Sequence, residues 1–233
     1  MKDFTVSVRK LTDVELLREA CASTFIGESH ASLSQLYKAE HSPVRTQLFW
    51  ITLKNIPLFV STHLLRHHVG SVPFQLTCRD DRNGGNPGMP AKIDDVVNRI
   101  KSLLNDWQKG GAITAPHIQE ENAIVEELET PVNLSLCVNA QSLIDMAKLR
   151  LCSGCAAAET VIVFREIKYQ IAQIDPELAA MMVRKCVYRN GLCGEMRCCG
   201  FNSTPAFDTE LKEYVSHFSE KQRGTNRKCN QEK

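Results

Sequence analysis

Residues 57–82 read PLFVSTHLLRHHVGSVPFQLTCRDDR, and the ten residues before them read QLFWITLKNI. Residues 47–54 are rich in aromatic and β-branched types and read as a strand. Pro57 then suits the first position of a helix, where its missing N–H costs nothing. On that helix His63, Arg66 and His67 share a face through i, i+3, i+4 spacing, and Val60, Leu64 and Leu65 supply apolar contacts. Arg66, His67 and His68 stand at its end, and a second polar patch follows at Gln75, Leu76, Thr77, Cys78 and Arg79. Guanidiniums, imidazoles and a hydroxyl in so short a span suit phosphates and a polar heterocycle, because the fork of Arg matches phosphate oxygens two at a time. Two plainer readings stand beside this one. Cations gather at helix C-termini through the macrodipole. His63 and His67 are also spaced i, i+4 like zinc-binding histidines, but without the Glu of His-Glu-x-x-His.

Outward from this stretch the elements are mixed. Upstream, residues 3–9 alternate as a strand, 12–22 read as a helix capped by Thr12 or Asp13, and 31–40 as a second short helix. Downstream, 82–91 are loop and 93–108 an amphipathic helix, while 109–130 are acidic and fit no element. Residues 131–138 read as a strand, Asn139 caps a further helix, and 156–172 are helical up to Asp175–Pro176, with another turn or two over 177–184. Strands and helices do not alternate as βαβ units, which predicts an α+β fold. One domain over residues 1–218 and a polar, disordered tail over 219–233 are expected.

The 233 residues suffice for a sizeable core, and 43% hydrophobic with 24% charged residues is ordinary for a globular protein. A net charge of +1 gives no global field for nucleic acid or an anionic membrane, so basic residues must act locally. The short basic tail is read as solvated. No apolar run reaches the roughly 18 residues of a membrane span, and the N-terminus MKDFTVSVRK lacks the apolar core of a signal peptide. Neither nucleic acid nor membrane is expected as a partner, and the expected location is the cytoplasm.

Two further features carry chemistry. In the helix after Asn139, Leu143, Met146, Ala147 and Arg150 share one stripe by spacing, so a guanidinium continues an apolar face. It must be paired, to Glu159 or Asp145, or else face a ligand cavity. The ten cysteines are many for a cytosolic chain, and six of them (Cys152, Cys155, Cys186, Cys193, Cys198 and Cys199) fall within one region. Such clustering favours a metal site or local redox chemistry over disulfides. A structural zinc held by Cys152, Cys186, Cys193 and Cys199 stands against buried free thiols.

These blocks resemble the flavin-dependent thymidylate synthases (ThyX). The family signature Arg-His-Arg-x-x-Ser, then Asn-Glu-x-Ser-x-Arg, is similar to Arg66–His67–His68–Val69–Gly70–Ser71 and Phe74–Gln75–Leu76–Thr77–Cys78–Arg79, with one residue inserted. His41–Ser42–Pro43 precedes it like the family's His-x-Pro segment. Val138–Asn139–Ala140–Gln141–Ser142–Leu143 resembles Val-Asn-Ala-Arg-Ser-Leu, and Leu149–Arg150 with Glu159 resembles the later motif. Cys186, Cys193 and Cys199–Gly200 resemble a cysteine pattern at the end of some members. The five blocks keep their order from residue 41 to 200, as in a divergent, phage-type member, which would act in the host cytoplasm.

The resemblance implies a twisted, mainly antiparallel sheet flanked by helices, in a homotetramer with sites between subunits. It implies methylation at C5 of dUMP, a deoxypyrimidine monophosphate, with FAD, NADPH and methylenetetrahydrofolate. Carried over, Arg66, His67, His68, Asn139 and Gln141 would line the FAD site. His63, Arg66 and the segment Gln75, Leu76, Thr77, Cys78 and Arg79 would hold the nucleotide, with Arg79 on its phosphate. Arg150 would face the pyrimidine as the catalytic cation. The chain departs from the pattern: His68 and Gln141 replace arginines, Phe74–Gln75 replaces Asn-Glu, Cys78 replaces Gly and Asp80 replaces Tyr. Residues 109–130 show no counterpart of the family's Ala-Arg-x-x-Leu-Pro segment. A dUMP or dCMP hydroxymethylase without net reduction stays open as an alternative, as does an inactive nucleotide-binding relic.

Overall fold

The computed structural model describes residues 3–24, 30–75, 97–98, 100–102 and 131–225, with side chains up to 217. Four strands form one sheet: β1 (Thr5–Lys10), β2 (Leu48–Pro57), β3 (Ser71–Gln75) and β4 (Pro131–Asn139). Their order is β1-β2-β4-β3, and every pairing is antiparallel. With helices before, between and after these strands, this is the α+β architecture expected from the sequence.

Period-two alternation decides which face is covered. Phe49, Ile51 and Leu53 of β2 and Leu134, Leu136 and Val138 of β4 are buried, while Trp50, Thr52, Ser135 and Cys137 between them are half-exposed. Among the described residues, helices pack on the first face. They are α1 (Val14–Ala22), α2 (Leu33–Lys38), α3 (Leu58–Leu65), α4 (Ala140–Arg150), α5 (Ala158–Ile174) and α6 (Pro176–Met181). The core beneath them is built on Leu17, Tyr37, Leu64, Leu143, Phe164, Ile167 and Ile171, all fully buried. On the other face Trp50 stacks on Phe74 with ring centroids 5.3 Å apart.

Local chemistry fixes the helix ends. Asp13 caps α1 by accepting from Leu16 N–H, so of the two expected caps it is Asp13 that acts. Ser32 and Gln35 form a capping box on α2. Asn139 caps α4 as expected, through Ser142 N–H. Asp175 caps α6 with Pro176 at its first position, so Pro176 also ends α5. Pro57 closes β2 and caps α3 at once, and α3 stops at Leu65 with Arg66 as its C-cap, so His67 and His68 lie beyond the helix.

Five elements go beyond the sequence expectations. Ser42–Thr46 and Phe201–Ser203 are 3₁₀ turns, β3 follows Gly70, α7 (Lys185–Tyr188) follows α6, and α8 runs over Pro205–Thr225. The end of α8 thus reaches into the stretch from 219 expected to be tail, while 226–233 lie outside the described residues. Residues 97–98 and 100–102 are helical. The rest of the expected 93–108 helix and the segment Leu76, Thr77, Cys78 and Arg79 lie outside the described residues. None of the described helices is long and apolar enough to cross a membrane.

Candidate functional site

The loop between α3 and β3 docks on the start of α4. Asn139 N–H donates to the Gly70 carbonyl (2.9 Å), and the Ser142 hydroxyl donates to the Val69 carbonyl. Gly70 has φ +71, and a Cβ there would fall 2.3 Å from Asn139 Nδ2 and 2.4 Å from Ser142 Oγ. Only glycine allows both this left-handed conformation and this approach. Gly70→Ala must push the Asn139 cap aside. We expect a loss of about 1–3 kcal/mol, read from the urea midpoint; an unchanged midpoint would show that the loop and helix do not depend on each other.

This docking joins the two sequence blocks around one cavity of about 480 Å³, lined by Arg45, Arg66, His67, His68, Val69, Gly70, Asn139, Gln141, Ser142 and Asp145. All five residues expected at a cofactor, Arg66, His67, His68, Asn139 and Gln141, line it. Arg45, Gly70, Ser142 and Asp145 were not expected there. Arg45 sits two residues after the His41–Ser42–Pro43 block, so the proximity of that block to the signature was the available signal. The left-handed turn at Gly70 leaves no such trace in the sequence.

The cavity suits an anion. Arg45 and Arg66 are exposed, their guanidinium forks unpaired among the described residues, and the cavity opens at the capped N-terminus of α4. Its one carboxylate, Asp145, is already engaged, by Lys148 at 3.0 Å and by the Gln141 amide at 3.3 Å. The Gln141 Nε2 also donates to Glu40, whose carboxylate binds Lys148 at 3.1 Å. Burial pushes the Glu40 carboxyl up, but hydrogen bonds from Gln141, Tyr188 and Lys148 outweigh it and hold it below the ordinary range. The amide is thereby oriented, and its Oε1 is buried with no partner. That acceptor fits a ligand N–H donor.

Behind the cavity lies Arg150, 8% exposed. Neither Asp145 nor Glu159 pairs with it. Instead its Nε donates to His67 Nε2 at 2.8 Å across 83 residues of sequence, which makes His67 the acceptor there and leaves its proton on Nδ1. Burial and the Arg150 charge push His67 down to about 4, so the ring is neutral at pH 7. Burial, then Arg150 and Arg66, lower His63 as well, and Arg66 lowers Arg150 beyond the effect of burial. Arg66 and Arg150 thus act on one locality, with His63 held at its edge by the buried Thr160 hydroxyl (3.0 Å). Gln75 lies elsewhere: it ends β3 opposite Leu134, while Ser71, at the cavity end, pairs with Val138. Four residues of strand separate them, roughly 13 Å.

Among the described residues no three His, Cys, Asp or Glu side chains are grouped so as to hold a metal ion. The expected zinc ligands Cys152, Cys186, Cys193 and Cys199 are free thiols that do not assemble into such a set. Cys152 is instead joined to Cys155 through the backbone, the Cys155 N–H donating to its carbonyl at 3.1 Å.

No protein-family model matches the chain, and no curated protein is detectably similar in sequence. Among solved structures the chain is similar to a UMP/dUMP methylase, PolB from Streptomyces cacaoi, bound with 5-Br dUMP. The identity is 16% over 78% of this chain and 95% of that one, with a TM-score of 0.49. At that distance the function has to be argued from the site itself.

Proposed function

We propose that this chain transfers a one-carbon unit from methylenetetrahydrofolate to C5 of a deoxyuridylate-type nucleotide, with FAD in the Arg66–Gln141 cavity and NADPH as reductant. One observation carries the reading. Arg66 from the first motif block lines an anion-suited cavity with His67, and Arg150 from the second, far apart in sequence, donates to that His67 from behind it.

The residues fit a flavin nucleotide. Arg45 and Arg66 would take its phosphates, and the Gln141 Oε1, without a partner among the described residues, would accept a ring N–H. When bound, the flavin supplies the hydride that brings the transferred carbon to the methyl level. The chain's own part is orientation and charge. Bond formation at C5 drives electron density onto the pyrimidine carbonyls, and the Arg150 guanidinium stabilises that charge without exchanging a proton. His67, neutral and fixed as an acceptor, aims the guanidinium instead of competing with its charge. Arg66 and His63 flank the nucleotide.

Purified protein is expected to be yellow, or to bind added FAD with a shifted flavin spectrum. Incubated with dUMP and methylenetetrahydrofolate, it should yield a product heavier by one methyl only when NADPH is present. A hydroxymethyl gain without NADPH would establish the hydroxymethylase instead. Colourless protein that leaves the flavin spectrum unchanged and the nucleotide unmodified would sink the catalytic reading.

A further inference from the structure

The connection from α4 to α5 is a turn that begins and ends in cysteine. Cys155 N–H donates to the Cys152 carbonyl at 3.1 Å, and Ala156 N–H donates to the same oxygen at 3.0 Å. A turn closed from i to i+3 holds its end Cα atoms within about 7 Å, and disulfides span Cα separations of roughly 4.4–6.8 Å. The Cys155 thiol acts electrostatically on the Cys152 sulfur and on the Glu195 carboxylate. Glu195 is anchored by Lys185 at 3.0 Å. Cys152 is 8% exposed and Cys155 half-buried. A third sulfur is near but less engaged. Those of Cys152 and Cys199 each lie 3.7 Å from where a Gly154 side chain would begin. No reading of the Arg150 site uses these thiols.

We propose that Cys152 and Cys155 form a redox-active dithiol that exchanges with low-molecular-weight disulfides. The Cys152 thiolate attacks one sulfur of the external disulfide. A mixed disulfide forms and the other half leaves as a thiolate. Cys155, held next to it by the turn, then gives its proton to solvent and attacks the Cys152 sulfur. The Cys152–Cys155 bond forms, the mixed disulfide breaks, and the second half leaves as a thiolate. The two cysteines lose two electrons and two protons; the external disulfide gains two electrons, and its thiolates take up protons from solvent.

Trypsin cuts after Arg150 and Arg165, so both cysteines fall in one peptide, LCSGCAAAETVIVFR. The full chain is equilibrated in glutathione buffers of rising oxidised fraction, quenched by alkylation and mapped by mass. The expected result is this peptide lighter by two hydrogens and closed to alkylation, also in a variant carrying Cys198→Ser and Cys199→Ser. Cys155→Ser should leave glutathione bound to Cys152. Full alkylation of both cysteines while Cys199 is already glutathionylated would overturn the proposal, as would a cross-link from Cys152 to Cys199. The readout is a mass and does not depend on the one-carbon reaction, so either proposal can fail alone.

Discussion

Arg150→Ala is expected to lower turnover at least about 100-fold, the scale on which one preorganised donor at a developing charge contributes. The guanidinium is buried, fixed through Nε by His67, and its charge helps lower His63. A second readout tests the same geometry without substrate. His67 titrates at about 4 because it is buried and because Arg150 repels the added proton. Its folded value lies below the ordinary 6.5, so proton uptake favours the unfolded chain. This contribution to stability is complete above about pH 6.5 and is lost as pH falls from there through about 4. In Arg150→Ala the His67 titration, followed by NMR, should move up towards 6.5, and the acid side of the stability profile should flatten. Unchanged turnover with a shifted His67 would leave the geometry intact and remove Arg150 from the chemistry. An unshifted His67 would remove the contact itself.

Asp175→Ala is expected to be the most damaging single change to the fold. Its carboxylate, 2% exposed, accepts from Lys10 Nζ at 2.6 Å, from the Tyr37 hydroxyl at 2.9 Å and from Leu178 N–H at 3.1 Å. One side chain therefore ties β1, α2 and α6 together. Removing it strands a lysine, a buried phenol and a helix end, and breaking such a buried pair costs about 3–5 kcal/mol. Lys10 keeps some access to water, so the lower end applies. In a chain of this size that is roughly 6–12 °C in the melting midpoint. Asp175→Asn retains the cap and an acceptor for Tyr37 and should lose less. A midpoint for Asp175→Ala within about 2 °C of the parent would show that solvent already screens this carboxylate.

The sequence was most legible where one local force decides. Alternation located β1, aromatic and β-branched content located β2, and Asn139 announced the end of β4 and the start of α4. The stripe of Leu143, Met146, Ala147 and Arg150 is buried as its spacing demands. The expected gathering of Arg66, His67, His68, Asn139 and Gln141 rests on two blocks that are each local, and the Gly70–Asn139 contact joins them. Tertiary choices stayed hidden. Ser71–Gln75 contains Pro73 and is strand only because β4 offers it a partner. Arg150 was weighed against Asp145 and Glu159, both acidic and near in sequence, yet it found a neutral histidine from another element. The end of α8 is polar enough to read as tail; in the structure it continues a helix whose Phe207 is buried against Val183 and Val187.

β2 gives way to α3, and β4 to α4, with no residue between strand and helix. The β2–α3 corner, where Pro57 pairs with Pro131, and the β4–α4 corner, where Asn139 pairs with Leu48, stand at opposite ends of the sheet, and the second forms part of the cavity wall. Insertions or deletions at either corner would derange the sheet before they remodelled the cleft. A change in what the cavity accepts is therefore expected from exchanging one side chain for another on an unyielding frame.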